Sequence, residues 1–218
     1  MRCTRKEIVA ILSNMVQVVE ENEQYLNQLD SVIGDAEHGS NLKRALRKAL
    51  DLVTDLPCEN PADILENFGR ILATSGCGSG PLLYGLAIKA FGSCLGEKGS
   101  FEPQNVVEAM EAMLHTVKEK GGANIGDKTM VDALEPAVNA FKEAVLSGHT
   151  LVEAFDFAVQ AAEKGMLETR NFVGKKGRSA YLGERGVGYQ DPGATSTYLM
   201  LRSVYQTLLE KGCGNSES

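Results

Sequence analysis

Between residues 29 and 41 the chain reads LDSVIGDAEHGSN, which sets Asp30, Asp35, Glu37 and His38 in a short turn between two helix-like segments. Carboxylates crowded together repel one another and lose hydration unless a cation joins them. An all-oxygen set suits a hard ion such as Mg²⁺ better than Zn²⁺. Asp30 also follows a long helical pattern, so it falls near the negative end of that helix, where an unpaired carboxylate is disfavoured and a bound cation would reverse the sign. The chemistry to which this points is that of metal-bound phosphate. A merely solvated acidic turn is the alternative, because acid clusters between helices are common.

A second constellation is basic. Residues 173 to 190, VGKKGRSAYLGERGVGYQ, carry Lys175, Lys176, Arg178 and Arg185 in an otherwise acidic protein. The stretch is too rich in glycine for a stable helix and longer than most connections in compact helical domains, and such loops are usually functional or disordered. A phosphate-gripping lid is one reading and a flexible solvated loop the other. Four turns, GDAEHGSN, TSGCGSGP, GGANIGDKTM and YQDPGATS, each lead into a helical segment. The unpaired amides of a helix start bind phosphate, and small residues let the ligand approach. Taken singly, each could be only a turn and a cap. None is a Walker A loop, since no GxxxxGK[ST] string occurs, and the strands of a Rossmann unit are missing.

The elements that must position these residues are helical from end to end, each opened by a capping residue and closed by Gly or Pro. The first runs from the capping-box pair Thr4 and Glu7 through Leu29 as one long core-facing stripe, and the second from near Ser40 to Pro57. A third opens with Asn60 and Pro61, and a fourth follows Pro81. The fifth spans Pro103 to Lys120, and the sixth is capped by Asp127, kinked at Pro136 and ended near Gly148. The seventh begins at a second capping box, Thr150 with Glu153, and the last follows Asp191 and Pro192 and runs to Gly212. The expected fold is therefore all-α, with about eight antiparallel helices. If they alternate in a bundle or closed ring, the four glycine turns share one end with the basic loop, where a metal-bound nucleotide would fit.

Composition bounds the rest. The 218 residues, 43% hydrophobic and 23% charged, suit one globular domain spanning 1–218. A net charge of −7 argues against nucleic-acid or anionic-membrane binding, both of which need a basic face. No apolar run approaches the roughly 18 residues of a membrane span, and MRCTRKEIVAIL lacks the apolar core of a signal peptide, so a cytoplasmic protein is expected. Cys3, Cys58, Cys77, Cys94 and Cys213 form no CxxC pair and read as reduced thiols.

The strings LDSVIGDAEHGSN, GCGSGP, GGANIGDKTMVDALEPA and GRSAYLGERGVGYQDPGA, in that order, resemble the L subunits of dihydroxyacetone kinases over nearly the full length. The resemblance implies an eight-helix, closed, barrel-like bundle with ADP or ATP at one end, bridged by two Mg²⁺ ions to Asp30, Asp35 and Glu37. It implies that His38, Gly39, Ser40 and Asn41 line the phosphate side, with Ser79 and Gly80 donating to phosphate. Gly121, Thr129 and Met130 would border the adenosine, Arg178 would reach the phosphates, and Asp191 and Gly193 would close the site. The family usually reads GDGDHG at the acidic turn, where this chain has Ala36 and Glu37. Cys77 and Tyr189 stand where glycine and histidine are more usual.

A separate L subunit resembles the phosphotransferase-system form of the kinase. That form implies a tightly held ADP phosphorylated by a phosphohistidine carrier protein, and a γ-phosphoryl passed to dihydroxyacetone or a similar hydroxyketone on a partner K subunit. Alternatives are a nucleotide-sensing subunit that binds a transcription activator, and an ATP-dependent kinase subunit for a different small sugar. A relative of lipid-carrier kinases is disfavoured by length. The chain offers no evident general base: His38 reads as a phosphate or outer-shell metal contact, and His115 and His149 as incidental.

Overall fold

The computed structural model describes residues 3–210, and among them every regular element is helical. Nine α-helices follow in order: α1 (Arg5–Glu21), α2 (Glu23–Ile33), α3 (His38–Asp55), α4 (Pro61–Ala73), α5 (Ser79–Lys98), α6 (Pro103–Gly121), α7 (Val131–Leu146), α8 (Leu151–Glu168) and α9 (Pro192–Glu210). Three 3₁₀ turns, Thr169–Asn171, Arg178–Tyr181 and Gly183–Gly186, lie between α8 and α9. Cys213 and the expected helix end at Gly212 lie outside the described residues.

The capping residues act as their types require. Thr4 and Thr150 each accept the N3 amide while Glu7 and Glu153 reach back, and the Asn60 side chain accepts from Ala62 N–H ahead of Pro61. Helix α1 packs on α3, each later helix packs on the next, and α9 returns to α1. Eight helices thus close a ring around a core that includes Leu12, Leu46, Phe68, Val107, Phe141 and Ala158. The ring is tight where α4 meets α5. A Cβ on Gly69 would lie 2.3 Å from Lys89 N, and one on Gly85 2.2 Å from Ala73 N, so only glycine permits this approach.

Two expectations need correction. The long first helix is broken at Asn22, whose side-chain amide donates to the Val18 carbonyl at 2.8 Å and shares that acceptor with the Asn22 N–H. The residues beyond the break form α2, which packs on α3 and α9, and Leu29 is only partly buried. Asp127 does not cap the sixth helix, which begins at Val131. Its carboxylate accepts from Asn124 N–H, while the buried Asp132 takes the amides of Gly126 and Thr129. A carboxylate in the first turn of the helix does the work of a cap. Cys58, Cys77 and Cys94 are free thiols, and no helix among the described residues is long and apolar enough to cross a membrane.

Candidate functional site

One end of the ring holds a cavity of about 380 Å³, a size suited to a small organic ligand. Its wall takes residues from the last turn of α2, the first turns of α3, α5 and α9, the end of α6 and the turn leading into α7. Starts of alternate ring helices therefore meet at one end, as up-and-down topology requires. Of the expected site residues, Asp30, Asp35, His38, Asn41, Ser79, Gly80, Gly121, Thr129, Met130, Arg178, Asp191 and Gly193 line this cavity. Glu37, Gly39 and Ser40 do not. Gly39 lets α3 approach α2, since a Cβ there would sit 2.3 Å from Glu23 O, and Ser40 bonds Asn27 and Glu23.

The acidic turn is built around Asp30, which is 6% exposed and accepts the amides of Glu37 at 2.9 Å and His38 at 3.1 Å. It thereby caps α3. Gly34 makes room for it, because a Cβ there would fall 2.0 Å from Asp30 Oδ1. Burial raises the Asp30 pKa; those two amides oppose the rise and the adjoining Asp35 carboxylate adds to it. Asp35 is paired with Arg178, Nη2 to Oδ2 2.6 Å, so a guanidinium from the basic loop lies against the acidic turn. Glu37 accepts from the Asn41 amide at 3.2 Å. Ala36 holds φ +62°, a left-handed conformation native to glycine.

Among the described residues no three His, Cys, Asp or Glu side chains converge on one metal position. Mg²⁺ is commonly held by one or two carboxylates, with waters and ligand phosphates completing the octahedron. The Asp30–Asp35 pair, all oxygen, crowded and already drawing a cation in Arg178, fits that pattern.

Across the cavity, α5 starts at Gly78 with no side-chain cap, which leaves the amides of Ser79 and Gly80 free for an anion. Leu83, Val117, Ala123, Met130 and Val131 supply an apolar wall beside Gly121. His38 Nε2 lies 2.9 Å from Ser196 Oγ; burial lowers its pKa to about 4, against a weaker upward pull from Asp35, so the ring is neutral near pH 7.

Sequence reasoning gave no part to Lys128, Asp132 or Tyr84. Lys128 is 1% exposed, holds φ +62° and donates to the carbonyls of Thr169 and Tyr189. Burial lowers its pKa, opposed by Asp191 and Asp132. Asp191 caps α9 through Ala194 N–H at 2.7 Å, and burial foremost pushes its pKa up to about 7. The only sequence signal for this buried cluster was a lysine inside a glycine turn. The basic loop, open to either reading before, is anchored: Lys175 N–H donates to Asp127 O, Lys175 pairs with Asp127, and Ser179 Oγ donates to Lys176 O.

The fold and the cavity define a class: an all-helical ring whose helix starts, carboxylate pair and guanidinium surround one polar pocket. The chain belongs to the DAK2 domain family, whose model matches residues 32–206. It is 32% identical to the ADP-binding subunit DhaL of PEP-dependent dihydroxyacetone kinase 1 of Listeria innocua, over 90% of this chain and 93% of that one. The corresponding Escherichia coli subunit is also 32% identical, over 94% and 97%. The L-erythrulose 1-kinase of Mycolicibacterium smegmatis is 32% identical over 94% of this chain and 36% of its own length. The dihydroxyacetone kinase of C. freundii, solved in complex with AMP-PNP and Mg²⁺, superposes with a TM-score of 0.70 at 26% identity. This chain spans 34% of that longer one.

Proposed function

We propose that this chain carries Mg²⁺-bound ADP or ATP in the ring-end cavity as the nucleotide subunit of a multi-subunit dihydroxyacetone kinase. It accepts phosphoryl from a phosphohistidine carrier protein and passes it to dihydroxyacetone, or a similar hydroxyketone, held on a partner K subunit. The observation that carries this reading is the meeting, in one cavity, of the α5 amides, the Asp30–Asp35 pair and Arg178.

Asp30 and Asp35 would hold the metal, and Glu37 joins them once it releases Asn41. Bound Mg²⁺ supplies charge neutralisation on the phosphate oxygens. The chain's own groups do the rest. Ser79 and Gly80 offer amides to phosphate, and Arg178 turns from Asp35 to the transferring group, whose charge lies on its equatorial oxygens. His38 and Asn41 border the phosphates, with Gly39 and Ser40 holding the first turn of α3 against α2. Gly121, Thr129 and Met130 border the nucleoside, and Asp191 with Gly193 closes the floor. This chain offers no evident general base for the substrate hydroxyl.

The test is to supply a phosphorylated carrier protein to the ADP-loaded chain and follow ATP formation. Stoichiometric ATP supports the reading, and ADP left unphosphorylated by a competent carrier contradicts it. A second reading, an ATP-dependent kinase subunit for another small ketose, draws on the equal identity to the L-erythrulose 1-kinase. Rapid exchange of bound ADP for free ATP would favour it.

A further inference from the structure

His38 belongs to a sealed polar chain that the proposed nucleotide chemistry leaves unused. Nε2 lies 2.9 Å from Ser196 Oγ, Ser196 Oγ lies 2.7 Å from Tyr84 Oη, and Tyr84 Oη lies 2.8 Å from Thr197 Oγ1. All three hydroxyls also reach the Gly193 carbonyl: Tyr84 and Thr197 at 2.9 Å, Ser196 at 3.1 Å. Ser196 is fully buried and Tyr84 6% exposed.

Proton counting sets the direction of this chain. A carbonyl only accepts, a hydroxyl has one proton to donate, and a neutral imidazole carries one proton on one nitrogen. With Nε2–H, four protons are available. His38 donates to Ser196 and Ser196 to Tyr84, and the Tyr84 and Thr197 protons then fill both the contact between those two side chains and one contact to Gly193 O. With Nε2 bare, Ser196 must donate to the ring and Tyr84 to Ser196. Thr197 then cannot serve both Tyr84 and the carbonyl, so three of the six close contacts lack a proton, against two when Nε2 carries one.

A second observation agrees. The Cε1–Nδ1 edge of the ring faces Gly80, where an added Cβ would lie 3.6 Å from Cε1 and 3.8 Å from Nδ1. That is the first turn of α5, whose positive end and free amides favour a lone pair over an N–H.

We propose that Tyr84, Ser196 and Thr197 hold the ring proton of His38 on Nε2, so that Nδ1 meets the cavity as an acceptor for a metal-bound water. Tyr84 and Ser196 are positioning residues that act through His38. A bare phosphate oxygen cannot donate to Nδ1, whereas a water on Mg²⁺ can, and Mg²⁺ keeps several waters when bound. His38 then extends the acceptor wall formed by Asp30 and Asp35. The tautomer half stands on the protein alone, and the water half rests on the nucleotide reading above.

The test is ¹⁵N NMR of the histidine-labelled, nucleotide-free full chain, where His38 must be distinguished only from the exposed His115 and His149. A protonated Nε2 with a bare Nδ1 is expected, and Tyr84→Phe should populate both tautomers. A proton on Nδ1, or no change in Tyr84→Phe, overturns the relay whatever the nucleotide results. With ADP present, Ser196→Ala should raise the Mg²⁺ concentration needed for half-maximal ADP retention about tenfold, as loss of an outer-shell partner does. If the tautomer is right but Mg²⁺ dependence is unchanged while Asp35→Asn alters it, the metal-bound water is wrong and the nucleotide reading survives.

Discussion

Two acidic clusters meet the cavity, one through Asp30 and Asp35 and one through Asp191 and Lys128, and they are finished differently. On the α7–α9 side, Asp191, Asp132 and Lys128 are each under 10% exposed, and amides, carbonyls and one buried ammonium satisfy one another there. On the α2–α3 side, Asp30 crowds Asp35, and the cation beside Asp35 is Arg178, exposed and borrowed from a loop. The first cluster is complete within the protein. The second leans on that exposed cation, which a bound metal would replace in the proposed reading.

The contrast can be broken from either side. The largest effect is expected at the finished cluster: Lys128→Met leaves Asp191 and two carbonyls without their buried cation and should cost about 3–5 kcal/mol in denaturant unfolding. Asp35→Ala, at the unfinished cluster, should change stability by less than about 1 kcal/mol, because its partner is exposed. The same variant should abolish Mg²⁺-dependent retention of ADP, measured by nucleotide release on denaturation. Equal destabilisation by the two changes would erase the distinction.

The pH dependence sharpens it. Asp191 titrates near 7 folded against 3.8 in the free group, so its stabilising proton is fully bound below about pH 4 and its contribution is lost as pH rises towards 7. His38 titrates near 4 folded against 6.5, so its contribution grows as pH rises from 4 to 6.5. The two slopes oppose, and the wild-type chain should show little net dependence from them over that window. Asp191→Asn should expose the rising His38 limb in chemical denaturation, and a falling limb in that variant would contradict the assignment. A small gain is expected at Ala36, whose φ of +62° costs about 1 kcal/mol that Ala36→Gly should recover. Unchanged stability in that variant would mean that the turn carries no such strain.

What the sequence could reveal follows from the range of each interaction. Caps, helix periods and glycine turns are local, so the helices and their shared end were legible from the residues themselves, whereas most of the twelve cavity residues were named only through the family resemblance. The break at Asn22 was not, because a side-chain amide sharing the Val18 carbonyl with the backbone leaves the apolar stripe intact on either side. Lys128 escaped notice for the opposite reason. Its burial depends on carbonyls at Thr169 and Tyr189, 41 and 61 residues away, which no local pattern encodes. Glu37 was placed with the metal ligands by its type, yet the fold turns it to Asn41, one helical turn ahead. The resemblance at GDAEHG could supply a charge there but not its direction.

The most direct measurement is calorimetric titration of ADP into the full chain, once with Mg²⁺ and once with EDTA. Tight binding with Mg²⁺ that weakens at least about tenfold without it is expected if the unfinished carboxylate pair is the metal anchor. Binding that ignores Mg²⁺, or no binding in either buffer, would contradict that claim.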